Sequence, residues 1–230
     1  MLKLLGRCAE ESNGLAIFIY TISSIIKMSF ETYKKRYLAE LQKQEHNVKD
    51  KSKKGFLDAE IKELVSLINQ KNNFYTTSSC AGRIILFRSM TSKKCDNEWI
   101  VVSHKKVDAT EIISNLKVYL AETKIKTART KSIIWLRYEP LILHVCAKTI
   151  EDAEKFLALA RSVGFKRGGI TAIKKRIMIE VNGVDRLDVP IGNDNKLLVD
   201  DKYLLFLLDE ANKKLLANLE RIGKSKECSK

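Results

Sequence analysis

Proline is scarce, with 2 in 230 residues, and glycine stands at 10. That excludes collagen-like and Pro-rich linker architectures. No pair of cysteines has the C-x-x-C spacing: Cys8, Cys80, Cys95, Cys146 and Cys228 are odd in number and far apart. A zinc ribbon and a thioredoxin-like redox motif are thereby excluded, and reduced thiols in a cytoplasmic compartment are expected. The apolar run Leu15 to Ile26 has 12 residues, against the roughly 20 that a spanning helix needs, so no membrane association is expected. No G-x-G-x-x-G follows a strand pattern, which excludes a Rossmann dinucleotide site, and the Gly-rich turn of classical methyltransferases is missing with it. G-x-x-x-x-G-K-[ST], H-E-x-x-H and G-x-S-x-G are also absent.

What is present is positive charge. Lys plus Arg number 42 against 28 Asp plus Glu, a net +14. Hydrophobic residues make up 45% and charged residues 30%, an ordinary globular balance that excludes wholesale disorder. A chain of this length buries a core of useful size. The surplus points to a polyanionic partner, nucleic acid or an anionic membrane face; the other reading is a Lys-rich solvated surface. The sharpest stretches are Arg161 to Arg176 and Thr123 to Tyr138, neither containing an acid. Basic residues placed around loops suit tracking of a phosphate backbone.

Glu10 and Glu11 interrupt the basic flank of the first apolar run, and no small-x-small cleavage site follows it. Residues 1–27 are therefore read as an upstream extension, and residues 28–230 as a single domain. Helical periodicity is expected from Ser29 to about Glu45, and again after Asp58, which can cap a helix with the stripe Ile61, Leu64, Val65 and Ile68. Further helices follow Asp108-x-x-Glu111 and Thr149-x-x-Asp152, both capping-box patterns, and a long final helix starts near Asp200. Strand patterns lie at Ile84 to Arg88, Glu98 to His104, Ser132 to Tyr138, Leu141 to Ala147, Gly169 to Ile173, Ile177 to Val181 and Val184 to Val189. Asn182-Gly183 is a type I′ hairpin signal between the last two. The expected fold is α+β, a mixed and largely antiparallel sheet packed with helices, and not a Rossmann-type methyltransferase.

The segment Thr76-Thr77-Ser78-Ser79-Cys80-Ala81-Gly82-Arg83 reads as a hydroxyl-rich loop. Such a loop can turn N–H groups and hydroxyls toward an anion, with Arg83 adding a bidentate charge; it can equally be a simple Ser/Thr turn around a buried Cys. Alternation along Leu141 to Ala147 puts Ile142, His144 and Cys146 on one face and Leu141, Leu143, Val145 and Ala147 on the other. A strand His can be a core residue or an active-site group. His104 ends its own strand. A zinc site from Cys80, Cys146, His104 and His144 lacks ligand spacing, and no metal is expected. Gly164 suits a helix C′ position, while Gly168-Gly169 lets backbone approach a ligand, with Lys166 and Arg167 beside it. Phe74, Tyr75, Trp99 and Trp135 can stack a base or fill the core.

Five segments occur in one order: Asp50-Lys51-Ser52-Lys53-Lys54-Gly55, Thr76 to Ile84, Val102-Ser103-His104-Lys105, Glu139-Pro140-Leu141-Ile142-Leu143-His144-Val145, and Gly164 to Ile170. Together they resemble the tRNA wybutosine-synthesising protein 3 family over about residues 29–222. The resemblance implies an S-adenosylmethionine-dependent methyltransferase. Its partner would be the anticodon stem-loop of tRNA-Phe, and the methyl would go to N4 of a demethylwyosine base already carrying an aminocarboxypropyl chain. By family position, Ser78, Ser79, Cys80, Gly82, Arg83, Gly168 and Gly169 would bind the cofactor. His144 and His104 would be catalytic, and Lys51, Lys54, Lys166 and Arg167 would contact RNA; no obligate protein partner is implied. Phe56, Leu57, Lys166 and Gly168 depart from the residues usual in the family. Two other classes compete: a non-catalytic RNA-binding module, and a thiol-dependent hydrolase centred on Cys80 and His144.

Overall fold

The computed structural model describes residues 29–45, 57–90, 97–123, 132–194 and 196–229. The proposed extension, Lys51, Lys54 and the basic residues between 124 and 131 lie outside these. The described elements are α1 (Phe30–Glu45), α2 (Lys62–Gln70), β1 (Phe74–Cys80), β2 (Arg83–Ser89), β3 (Asn97–Ser103), α3 (Ala109–Thr123), β4 (Ile133–Glu139), β5 (Ile142–Ala147), α4 (Ile150–Ser162), β6 (Arg167–Ala172), β7 (Ile177–Asn182), β8 (Leu187–Asn193), β9 (Lys196–Leu197) and α5 (Asp201–Ser229). No helix among the described residues is long and apolar enough to cross a membrane.

The α+β class holds, and the strands divide between two sheets rather than forming one. The first has the order β1-β5-β7-β6 and the second β3-β2-β4-β8-β9. Every pairing is antiparallel. Each sheet has its own core. Leu143, Val145, Ile179 and Val181 of the first pack with Leu64, Val65 and Ile68 of α2 and with Ala153 and Leu157 of α4. Ile84, Leu86, Ile134, Leu136 and Tyr138 of the second pack with Ile113, Leu116 and Leu120 of α3 and with Leu204, Leu208, Ala211 and Leu215 of α5. At 1.5 Å per residue a helix of this length reaches roughly 40 Å. It therefore serves both cores, and its Ile222 joins the first.

Among the described residues the chain passes between the sheets at three places: Ala81-Gly82, Pro140-Leu141, and Gly183 to Arg186. These crossings meet. A Cβ on Gly82, whose φ is +97°, would lie 3.0 Å from both Asn218 Nδ2 and the Glu139 carbonyl oxygen; one on Gly183 would lie 2.5 Å from Pro140 Cβ. Asn218 of α5, fully buried, joins two of the crossings: its Nδ2 donates to the Ala81 carbonyl (2.7 Å), and its Oδ1 accepts from the Leu141 N–H (3.0 Å).

Three local expectations are corrected. Thr76 to Cys80 is not a loop but most of β1, paired with β5 through a register shift between Thr76 and Ser78; pairing across the sheet overrides the weak strand preference of serine. Asn182-Gly183 makes no β7–β8 hairpin, because the two strands serve different cores, and the close approach to Pro140 accounts for the glycine. Asp58 does not cap α2, whose N-cap is Ile61 with no side-chain cap bond. The caps at Asp108 and Thr149 form as expected, accepting from the Glu111 and Asp152 N–H groups, and Gly164 follows α4 with φ +101°.

Candidate active site

Cross-strand partners in an antiparallel sheet share a face. His144 on β5 faces Ser78 of β1 on one side and Glu180 of β7 on the other, and Glu180 in turn faces Gly169 of β6. The result is a polar row across the first sheet, on the face opposite its core. Ser78 Oγ lies 2.7 Å from His144 Nδ1. His144 Nε2 lies 2.8 Å from Glu180 Oε2. Asn182 Nδ2 donates to the other oxygen, Glu180 Oε1, at 2.5 Å. The His144 N–H, and after it the Asn182 amide, hold the Glu180 carboxyl below the usual carboxylate range.

The proton positions follow from donor and acceptor chemistry. Ionised Glu180 only accepts, so Nε2 carries the hydrogen. In the neutral ring Nδ1 then holds a lone pair and accepts from the Ser78 hydroxyl. The row is a serine–histidine–carboxylate chain that can receive a proton at Nδ1 and hold the resulting charge against Glu180. The face beside it is open, since a Cβ on Gly169 would meet nothing within 4 Å.

A second cluster lies at the Ala81-Gly82 crossing. Asp58 Oδ2 accepts from the Ala81 N–H at 2.6 Å, and His104 Nδ1 donates to the Gly82 carbonyl at 2.9 Å. Asp58, Cys80 and His104 bring one potential ligand atom each within 4.8 Å of one another. The hydrogen on His104 Nδ1 leaves that atom no lone pair for a cation. Burial, and then the Asp58 carboxylate, push the Cys80 thiol up to about 11. A thiol held so far from ionisation is a poor nucleophile, and both ring nitrogens of His144 are engaged by Ser78 and Glu180. The thiol-hydrolase alternative therefore fails on geometry and on charge. Cys80→Ser is expected to keep methyl transfer near the wild-type rate in a tritiated-methyl assay; complete loss would restore Cys80 as a reacting group.

The remaining expected residues fall as follows. Cys80 shares the open face with Ser78, whereas Ser79 pairs with Leu143 and is directed to the core side. Gly168 also belongs to the core side: a Cβ there would lie 3.1 Å from Leu157 Cδ2, so its small size serves the packing of α4. Gly82 takes the sharp crossing. Arg83 Nε donates to Glu139 at 2.9 Å, and its guanidinium lies over the Trp99 ring at 5.4 Å. Lys166 and Arg167 are exposed at the start of β6. The four residues weighed as a zinc set are separated, with Cys80 and His104 at the crossing, His144 in the polar row and Cys146 buried beside Tyr75. Among the aromatics, Tyr75 is buried, Phe74 packs on Phe156, and Trp99 is exposed on β3. Glu180 and Asp58 were missed. A lone acid inside the apolar run Ile177 to Val181 was the available signal for Glu180, while nothing local distinguished Asp58 from a helix cap.

The chain as a whole has known relatives. Residues 32–228 match the family Methyltransferase TYW3. The chain belongs to this family. It is a methyltransferase on a fold distinct from the Rossmann type. A zebrafish (Danio rerio) protein, "tRNA wybutosine-synthesizing protein 3 homolog", is 36% identical over 78% of this chain and 69% of its own length. A Thermococcus sibiricus protein, "tRNA(Phe) 7-((3-amino-3-carboxypropyl)-4-demethylwyosine(37)-N(4))-methyltransferase", is 30% identical over 84% of this chain and 93% of its own. Among solved structures, the PH1069 protein of Pyrococcus horikoshii superposes with a TM-score of 0.75 at 30% identity, covering 89% of this chain and 98% of its own. In this TYW3 family member the reaction needs a methyl donor.

Proposed function

We propose that this chain methylates N4 of the aminocarboxypropyl-demethylwyosine base 3′ of the anticodon in tRNA-Phe, in the cytoplasm, with S-adenosylmethionine as donor. The observation that carries the reading is the Ser78–His144–Glu180 chain on the open face. The names of the relatives supply the substrate. S-adenosylmethionine, when bound, supplies a methyl group on a positively charged sulfur. The residues present fit such a cation, since Glu180 places a carboxylate on an open face and the Gly169 backbone leaves room beside it. Ser78, Gly169 and Glu180 would hold it there.

The target nitrogen exchanges a hydrogen for a methyl, so one proton must leave. Ser78 Oγ accepts that proton as its own passes to His144 Nδ1, and Glu180 stabilises the imidazolium through Nε2. Holding donor and nucleophile in line beside the row would supply much of the remaining acceleration, because in-line displacement depends on alignment. At the crossing, the Asp58 and His104 contacts hold the end of β1 in place, which fixes Cys80 and, through the strand, Ser78.

The test uses purified protein with S-adenosylmethionine and tRNA-Phe isolated from cells that stop at the aminocarboxypropyl intermediate. Mass spectrometry of the digested tRNA should show that nucleoside one methyl heavier, and the donor should raise the melting temperature by mass action. RNA binding with neither methylation nor a donor-dependent shift would establish the RNA-binding module instead.

A further inference from the structure

Past His144 the same face of the first sheet is covered by α1, whose Phe30 and Tyr37 pack on the buried Tyr75 beside Cys146. Two residues further along β5, about 7 Å at the usual strand rise, Cys146 floors a cleft of about 320 Å³ that the next residue, Ala147, also lines. The start of α1 forms one wall with Ser29, Phe30 and Tyr33, and the β6–β7 turn forms the other with Lys174, Lys175 and Arg176; Lys148 stands at the rim. This is the size of a small-ligand site. Among the described residues four cations line it, and no acid does.

Two of the four are fixed in place. Arg176 Nη1 donates to the Tyr37 hydroxyl at 2.9 Å, and its guanidinium lies over the Tyr33 and Tyr37 rings at 5.1 and 5.4 Å. Lys148 Nζ donates to Glu31 at 2.6 Å and sits over the Phe30 ring at 5.9 Å. Glu31 is thus already taken. Lys174 and Lys175 are exposed and make no ion pair among the described residues. Gathering like charges around one cleft is unfavourable unless an anion enters it. A guanidinium stacked on tyrosines keeps donors in its plane for a phosphate. The aromatic wall offers contact to a sugar or base.

We propose that this cleft is an RNA subsite, holding the phosphate and sugar of a nucleotide next to the one being methylated. The proposal rests on the tRNA reading above. The methyl donor is a poor occupant, because its sulfonium and ammonium outweigh its single carboxylate and four cations would repel it. A phosphodiester carries only negative charge, and a chain neighbour of the target base reaches this end of the face.

The test measures binding of a tRNA-Phe anticodon stem-loop oligonucleotide across a salt series, for wild type, Lys174→Glu/Lys175→Glu, and a control of equal charge change, Lys196→Glu/Lys202→Glu, on β9 and α5. The cleft variant should bind at least about tenfold more weakly, and its log K against log salt slope should be shallower by about 1.5, the value for two lost phosphate contacts. The control should stay near wild type, and the donor-induced melting shift should survive in both. If wild type binds and the cleft variant matches the control, the subsite is overturned while the tRNA reading stands. Loss of the donor-induced shift in the cleft variant would overturn it in favour of a cofactor site. If wild type itself does not bind the stem-loop, the tRNA reading falls, and the subsite with it.

Discussion

His144→Ala should lower the rate of methyl transfer by about 10²–10⁴-fold, the range contributed by a positioned general base. Affinity for the donor and for tRNA should change far less. His144 accepts at Nδ1 and donates at Nε2, so truncation removes the proton's destination and leaves Ser78 and Glu180 without their shared partner. His144→Gln separates the two roles: an amide can bridge Ser78 and Glu180 but cannot take a proton, so it should keep the row in place without restoring rate. Glu180→Gln should give a smaller fall, because a neutral amide no longer balances the imidazolium. Single-turnover rates at saturating donor and tRNA separate chemistry from binding. A His144→Ala protein that methylates at the wild-type rate would remove the polar row from the mechanism.

The same carboxylate gives a pH signature independent of turnover. Glu180 is held below the usual carboxylate range in the folded chain, first by His144 and then by Asn182. A depressed carboxyl adds stability that is present above its unfolded pKa and is lost as pH falls through the folded one. The melting-temperature advantage of wild type over Glu180→Gln should therefore be largest near neutral pH and should shrink on acidification. The side chain is 34% exposed, so solvent screens the effect and it should be modest. An advantage that persists undiminished below the carboxylate range would contradict the assignment of Glu180 as an ionised acceptor.

Much of this was legible in the sequence where the physics is local. The caps at Asp108 and Thr149, the C′ glycine at 164 and the two-face alternation of β5 each depend on residues a few positions apart, and each appears as read. Alternation alone put His144 on the face opposite Leu143 and Val145. What could not be read depends on which strand lies beside which. A period-two pattern assigns a face and not a neighbour, so Ser78 and Glu180, 66 and 36 residues from His144, could not be joined to it. The division into two sheets was hidden for the same reason. Asn182-Gly183 has hairpin chemistry, and only the packing on Pro140 shows why a glycine is there. Asp58 had a good local use as a helix cap, and its actual partner, the Ala81 N–H, comes from 23 residues away.

Asn218→Ala should be the most destabilising single truncation in the seam between the sheets. The side chain is fully buried and bonds two buried crossing segments at once, Ala81 through its donor and Leu141 through its acceptor. Removing it strands a carbonyl and an N–H away from water, at about 1–3 kcal/mol each. Against a total stability of about 5–15 kcal/mol the sum is large. For a chain of this size it corresponds to roughly 2–4 °C per kcal/mol in melting temperature. Urea unfolding should show a lower midpoint. Asn218→Asp is the sharper variant: a carboxylate still accepts from the Leu141 N–H but turns an oxygen toward the Ala81 carbonyl, so the loss should be at least as great despite near-identical volume. Asn218→Leu replaces polar shape with apolar bulk and leaves both backbone groups unpaired, so it should not rescue. Should the aspartate variant melt with wild type, the amide donor would be irrelevant and the crossings would be held by packing alone. Because Ala81-Gly82 also carries the Asp58 and His104 contacts, partial unfolding of the seam would loosen the end of β1, and Asn218 variants should lose methyl transfer at temperatures below their global midpoint.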